Sequence, residues 1–407
     1  MIKTLKLTNF FSFSDQTIEL EQDTNLLIGI NGSGKSNFLK AVRLLRIGAI
    51  GNQEDSAMMD LLIRNWGGVD NIFCKSNLNQ KFKNSIGLEF VLNGNVLSKY
   101  GPYSFKDDVL YKIKIIKKPG TENYFISEKL QTNIINGFIF LEFYNGSGRV
   151  QERVEDEGVH FVQYNDYNPR ELALSKISEF DSDRYLPLTI IKKAIKEIVV
   201  YNYFDTTPES KIRNAMSATS SETRLLQNGS NLTQVLNTIK IKHKTYFKRI
   251  KELLKDVNER FVGFDFNMLG SGFFELLLDE DGLESSIHVT HISDGTLRYL
   301  CLLAILCNPN RGAFICIDEP EIGLHPDMIF NISMAIQEAS ETSTMIIATH
   351  SENVLNSFKI EKLRVFEKDD GNVSIVKKYT ENDFQGWYEV FSPGNMWRSG
   401  DLGGKRW

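Results

Sequence analysis

The sequence has no apolar run of about 18 residues, the length a membrane-crossing helix needs, so no transmembrane segment is expected. Cysteine is scarce: Cys74, Cys301, Cys307 and Cys316 are the only four, and their spacing matches no metal site. Three of them lie in apolar runs, where a free thiol behaves as a small hydrophobe. That suits a reducing compartment, and a cytoplasmic location is expected. Basic excess is missing too: 47 Lys and Arg face 52 Asp and Glu, for a net charge of −5. No global attraction to nucleic acid follows, so any such contact must be local. The first residues read as a strand rather than a signal peptide. Internal repeats and low-complexity tracts are also lacking. What remains is a 407-residue chain with 42% hydrophobic content. That is more than one core usually accommodates, so two or three structural units are expected.

Residues 29–36 read Gly-Ile-Asn-Gly-Ser-Gly-Lys-Ser, complete at every required position of the phosphate-binding pattern G-x-x-x-x-G-K-[ST]. The glycines let backbone N–H groups turn inward onto phosphate oxygens. Lys35 brings a cation to the β- and γ-phosphates, and Ser36 a hydroxyl to Mg²⁺. Gly29, Asn31, Gly32, Ser33, Gly34, Lys35, Ser36 and Asn37 are the candidate nucleotide-binding residues here. The context agrees: 25–28 is a short apolar run, and Phe38, Val42 and Leu45 recur at helical spacing behind the loop. ATP and Mg²⁺ are the expected ligands.

Along the chain, Ile2–Phe10 alternates as a strand, and Ile18 and Leu20 mark a second strand after a turn over 12–15. A loop is expected over 48–56 and a short helix over 57–64. From 85 to 163 the pattern turns to β: Ser85–Leu92, 109–116, 138–143 and 160–163 are strand-like, with turn signals at Asn93-Gly94, Pro119-Gly120 and Asn145-Gly146. Helices are expected over 188–200 and 232–257. Residues 240–255 carry seven Lys and Arg and one Glu, with Tyr246, Phe247, Ile250 and Leu254 on one side. This reads first as the solvated face of an amphipathic helix and second as a nucleic-acid contact. Strands return at 261–266 and 273–278. The expected organisation is 1–75, a β region over 76–170, a helical insertion over 171–260, a second ATPase part over 261–380 and an aromatic, glycine-rich tail over 381–407.

Residues 313–319 read Ala-Phe-Ile-Cys-Ile-Asp-Glu, an apolar strand delivering two carboxylates at its end. Asp318 is the candidate Mg²⁺ ligand. Glu319 is the candidate that polarises the attacking water. Upstream, Ser293, Asp294 and Gly295 open a long apolar helix, a second helix N-terminus able to meet an anion. Ser293 stands 25 residues before Asp318, room for one helix and one strand. Residues 320–326 read Pro-Glu-Ile-Gly-Leu-His-Pro. A helix over 326–339 and the strand Thr344–Ala348 then lead to Thr349-His350-Ser351.

This ordered set resembles the ABC-type ATPase heads of RecF, SMC proteins and the ATPase half of overcoming-lysogenisation-defect (OLD) nucleases. The resemblance covers about 1–50 and 285–365. It implies an α/β P-loop head, a mixed sheet with flanking helices, carrying an antiparallel β region and a helical insertion. By resemblance, Ser293, Asp294 and Gly295 are the signature, 321–326 the D-loop and His350 the switch histidine at the γ-phosphate. Glu319, His350 and Lys35 are then the catalytic residues. Heads of this kind carry a Q-loop glutamine, and Gln163 is the candidate. OLD nucleases continue into a metal-binding Toprim domain; about 45 residues follow Lys362 here, so no nuclease site is expected in this sequence. Residues 203–208 (Tyr-Phe-Asp-Thr-Thr-Pro), 229–232 (Gly-Ser-Asn-Leu) and 397–407 resemble a bacterial branch of ATPases related to anti-phage and abortive-infection systems.

In such heads the signature of one subunit caps the nucleotide of another. A homodimer with shared ATP sites, or a higher assembly of dimers, is therefore implied. The implied function is a sensor or regulator in an anti-phage system, controlling a separate effector such as a nuclease or toxin. A RecF-type DNA-repair or clamp ATPase, with duplex DNA as partner, is the alternative. A transporter subunit fits poorly with the insertion and the Ser-Asp-Gly signature.

Overall fold

The computed structural model describes residues 1–51, 58–76, 84–154, 158–177, 183–217, 222–384 and 391–403. They fall into two compact units. The first takes in Met1–Val199, Arg364–Tyr379 and the chain from Leu402; the second takes in Val200–Leu363 and Thr380–Asp401.

Strands β1 (Ile2–Phe10) and β2 (Phe13–Glu19) pair as a hairpin. The turn is Phe11-Ser12 rather than 12–15, because Phe11 takes a left-handed φ of 49° and Phe13 pairs straight back onto Phe10. β3 (Thr24–Gly29) is buried at every residue and feeds α1 (Lys35–Ile50). Phe38, Val42 and Leu45 are buried on α1, as their spacing predicts. The helix runs on through Gly48 and stops at Gly51, so the loop expected from 48 starts later, and 52–57 lie outside the described residues. The short helix appears as α2 (Met58–Asn65).

The β region holds β4 (Ser85–Leu92), a single-turn α3 (Gly94–Leu97), β5 (Val109–Lys117), β6 (Tyr124–Thr132), β7 (Ile139–Tyr144), β8 (Ser147–Val154) and β9 (Gly158–Tyr164). With the first hairpin they make an eight-stranded antiparallel sheet in the order β2-β1-β4-β5-β6-β7-β8-β9. Alternate residues of β4 and β5 are fully buried, among them Leu88, Phe90, Tyr111 and Ile113. Each such side chain contributes about 1.5–3 kcal/mol by leaving water. Asn145 and Gly146 both take positive φ in the β7–β8 turn, the backbone a two-residue hairpin loop demands. Asn93-Gly94 is not a hairpin turn: the Asn93 side chain accepts from the N–H groups of Asn95 and Val96 and caps α3. The expected helix over 188–200 divides into α4 (Leu186–Lys196) and β10 (Ile198–Tyr201).

The second unit contains β11 (Met216–Ser217), α5 (Leu232–Lys242) and α6 (Lys244–Lys255), which His243 separates with a φ of −135°. The hairpin β12 (Phe261–Leu269) and β13 (Phe273–Glu280) follows, with β14 (Ile287–His288) beside β13. Then come α7 (Asp294–Leu306), β15 (Phe314–Asp318), α8 (Pro326–Ser340), β16 (Thr344–Ala348) and α9 (Glu352–Asn356). β15 and β16 pair in parallel, with Asp318 opposite Ala348. A helix joins them, as parallel strands require. α7 is buried almost all round, the mark of a core helix. The chain then returns to the first unit as β17 (Leu363–Lys368) and β18 (Ser374–Lys378), where β17 lies between β3 and β18. α10 (Pro393–Ser399) closes the second unit. The fold is α/β with a large antiparallel sheet, as expected.

Candidate functional site

In the first unit the chain leaves β3 at Gly29 and re-enters helix at Lys35. Gly34, the residue before α1, has a φ of 117°, and Gly29 a φ of 155°. A Cβ on Gly29 would stand 2.3 Å from the Phe366 carbonyl oxygen, and one on Gly34 would stand 2.6 Å from Ser374 Oγ. Neither position admits a side chain. Lys35 is buried, and its Nζ donates to the carbonyl oxygens of Gly29, at 2.7 Å, and Ile30, at 3.4 Å. The ammonium is thereby folded back into the mouth of the loop. Ser33 Oγ is buried without a hydrogen-bond partner. Asn31, Gly32 and Ser36 are exposed. Asn37 donates through Nδ2 to Ser12 Oγ at 2.9 Å, which fastens α1 to the β1–β2 turn. The loop fits an anion of several oxygens: its backbone is turned by glycine, its cation is in place, and one buried hydroxyl lacks a partner.

In the second unit Asp318 and Glu319 stand at the end of β15, and His350 follows β16. Glu319 Oε1 lies 3.5 Å from His350 Nε2, and both side chains are about one-third exposed, at 35% and 33%. Glu319 has a left-handed φ of 49°, unusual for a residue with a side chain. Its own N–H donates to the Ala348 carbonyl at 2.8 Å. The strain therefore sits where one carboxylate must leave the line of the strand to face the neighbouring strand's histidine. Glu321 holds the pair in register: its Oε1 accepts from Thr349 Oγ1 at 2.8 Å and from the His350 N–H at 2.7 Å. Two residues before Asp318 on β15, burial pushes the Cys316 thiol well up, so it stays neutral.

Ser293 caps α7 and accepts from the Thr296 N–H at 3.2 Å. Ser293 and Asp294 are exposed. Gly295 lies against the loop after β15, where a Cβ would stand 3.0 Å from the Gly323 carbonyl oxygen.

The expected residues therefore gather in two sets, one in each unit. The first holds Gly29, Asn31, Gly32, Ser33, Gly34, Lys35, Ser36 and Asn37. The second holds Ser293, Asp294, Gly295, Asp318, Glu319 and His350. Gln163 joins neither. It is an exposed residue on β9, opposite Arg149, at the far edge of the eight-stranded sheet. The β1–β2 turn that touches Asn37 is at the other edge, roughly 30 Å away across seven strand spacings. The expectation for Gln163 is corrected: strand order carries it away from the loop.

Sequence reasoning missed Ser12, Ser374 and Glu321 as supports. A further correction concerns the basic stretch 240–255, which spans two helices. Ile250, Leu253 and Leu254 are buried, but Tyr246 is exposed. Lys244, Lys248, Lys251 and Lys255 share one face of α6 and line a recess of about 400 Å³ with Phe247, Phe261 and Val262. In the tail, Trp397 is buried and the Gly394 N–H donates to Asn356 Oδ1 at 2.7 Å, so α10 docks on α9. Trp387 and Trp407 lie outside the described residues. Among the described residues no helix is long and apolar enough to cross a membrane.

A family model described as "AAA domain, putative AbiEii toxin, Type IV TA system" matches residues 24–356. No curated protein matches the chain. Among solved structures, an SMC head bound to the C-terminal winged-helix domain of ScpA is similar at 16% identity and a TM-score of 0.58, over 94% of this chain and 99% of that one. An SMC head with an extended coiled coil, bound to the C-terminal domain of ScpA from Pyrococcus furiosus, is similar at 14% identity and a TM-score of 0.56, over 95% and 98%. The fold is that of the SMC head.

Proposed function

The chain belongs to the AAA-domain family whose model it matches, and from that membership we propose that it is an ABC-type ATPase that closes on ATP as a homodimer and so regulates a separate effector. It is an ATPase of the AAA type on the fold of the SMC head. The observation that carries it is the Glu319–His350 pair, 3.5 Å apart at the ends of two parallel strands, with Asp318 beside it.

In this reading the 29–36 loop binds the triphosphate through its N–H groups, and Lys35 turns from the Gly29 and Ile30 carbonyls to the β- and γ-phosphates. Ser36 in the first unit and Asp318 in the second are the groups suited to Mg²⁺, which when bound would neutralise charge on the transferred phosphoryl group. Glu319 orients the attacking water and takes its proton, and His350 meets the γ-phosphate. Ser293, with the N-terminus of α7, closes the site of a second copy. Binding thereby joins two heads and hydrolysis separates them. Glu319→Gln should keep ATP binding and lose turnover by about 10²–10⁴-fold. Steady-state phosphate release and nucleotide binding on the same preparation check this; unchanged turnover would reject Glu319 as the base.

The effector is a nuclease or toxin on another cytoplasmic chain, in an anti-phage system. Two features support this: the family's toxin–antitoxin description, and the tail and 203–208 motifs that resemble defence ATPases. The similar SMC heads were solved with a ScpA domain bound, which supports a docked protein partner. Co-purification with the product of the neighbouring gene tests the role. The lysine face of α6 favours a second reading, a RecF-type ATPase on duplex DNA. DNA affinity falling steeply with salt, and lost on Lys248→Glu with Lys251→Glu, would favour it.

A further inference from the structure

Residues 203–213 contain a motif with no part in the chemistry above, yet they grip the signature end of α7 at two points. The first grip is Arg213, whose side chain is only 6% exposed. Its Nε donates to the Thr206 carbonyl at 2.9 Å. Its Nη1 lies 3.0, 3.1 and 2.8 Å from the carbonyl oxygens of Val289, Thr290 and Ile292, and its Nη2 donates to Asp294 Oδ1 at 2.6 Å. Those three carbonyls belong to the tight turn immediately before Ser293. Carbonyl dipoles pointing at one spot repel each other unless a cation with several donors sits among them, and a guanidinium is the side chain that supplies those donors in a plane.

The second grip is Tyr203. Its hydroxyl accepts from Arg298 Nη2, and the Arg298 guanidinium lies 4.4 Å from the centre of its ring. Arg298 is on α7, just past one turn from Ser293. Its Nη1 also fills the space beside Gly323, where a Cβ would come within 2.2 Å. Between the two grips, Phe204 and Ile212 pack with Cys301 of α7 against Gly229, where a Cβ would stand 3.2–3.4 Å from all three. Gly229 has a φ of 72° and leaves the room they need. The 229–232 segment is thus the seat of the 203–213 segment.

We propose that residues 203–213 are a strap that positions Ser293 for the opposite subunit's nucleotide, with Arg213 as its positioning residue. The proposal rests on the reading of Ser293 as the group that closes a second copy's site. Arg213 touches no nucleotide; it fixes the turn from which Ser293 projects. Tyr203 and Arg298 link that turn to the loop after Glu319, so the signature and the hydrolytic carboxylate move as one piece.

The experiment uses the full chain with Arg213→Lys, Tyr203→Ala and Tyr203→Phe, each alone and on Glu319→Gln. Arg213→Lys keeps the charge but loses the planar fan of donors. Tyr203 is 55% exposed, so its variants test the strap even if Arg213→Lys fails to fold. Monomer affinity for a fluorescent ATP analogue should stay within about threefold of the parent, because the loop of the other unit is untouched. Turnover, and ATP-dependent pairing on Glu319→Gln, should fall on the order of tenfold or more for Arg213→Lys and Tyr203→Ala, as misplacement of a positioned group predicts. Tyr203→Phe, which keeps the ring over Arg298, should retain most of both. Parental turnover and pairing in folded Tyr203→Ala would overturn the strap. Failure of the Glu319→Gln parent itself to pair with ATP would overturn the reading of Ser293 instead.

Discussion

Glu321 shows how a single carboxylate can matter without meeting the substrate. It accepts from the Thr349 hydroxyl and the His350 N–H, so Glu321→Ala leaves two donors facing a hole. We expect a loss of about 1–3 kcal/mol in stability, measured by urea unfolding. Turnover should fall with it as His350 drifts from Glu319; full activity with lowered stability would confine Glu321 to a structural role. Glu128, in the first unit, is a buried carboxylate with a different effect. Burial pushes its carboxyl up from 4.5 to about 7, against the hydrogen bonds from Tyr111 and the N–H groups of Ala173 and Leu174. The folded chain therefore holds this proton more tightly than the unfolded chain. Its contribution to stability is fully present below pH 4.5 and is lost as pH rises toward 7. Urea midpoints across that window should carry a downward component that Glu128→Gln removes. An identical pH profile in the variant would contradict the assignment.

At the scale of elements, the machinery was legible where function demands particular residue types. The strand–loop–helix around Lys35, the strand ending in Asp318 and Glu319, and the helix and strand leading to His350 were all readable, because each joins an apolar run to a fixed string. β6 and β8 were missed for a physical reason: buried polar side chains, Glu128 on β6 and the adjacent Gln151 and Glu152 on β8, hide the alternation that betrays a strand. The divisions between α4 and β10 and between α5 and α6 fall inside continuous apolar or basic runs, where tertiary packing overrides the local pattern. Arg213 was invisible because most of its partners are backbone carbonyls, which have no letter in the sequence. The α9–α10 contact permits an element-scale prediction. α9 begins two residues after His350, and a Cβ on Gly394 of α10 would lie 2.5 Å from Asn356 Oδ1. Gly394→Val should undock α10 and expose Trp397, seen as a red shift in tryptophan emission. Unchanged emission would mean α10 is not held by this contact.

For the whole molecule, one distribution governs the proposed function: with one phosphate loop and one signature serine per chain, a second chain would complete each site. In the proposed function the 29–36 loop is the binding element and the Glu319–His350 pair the hydrolytic one, while Ser293 is exposed at the start of α7. Defence signalling, effector control or DNA clamping would each draw on the same event, two heads joined by ATP and parted by its loss. The most direct test mixes two inactive proteins, Lys35→Ala, which lacks the loop cation, and Ser293→Arg, which blocks the signature. If sites are shared between copies, the mixed dimer contains one intact site. Phosphate release should then recover to on the order of a quarter of the wild-type rate, the share of intact sites that random two-fold pairing leaves. A mixture as inactive as either protein alone, while each still binds its partner, would contradict the account.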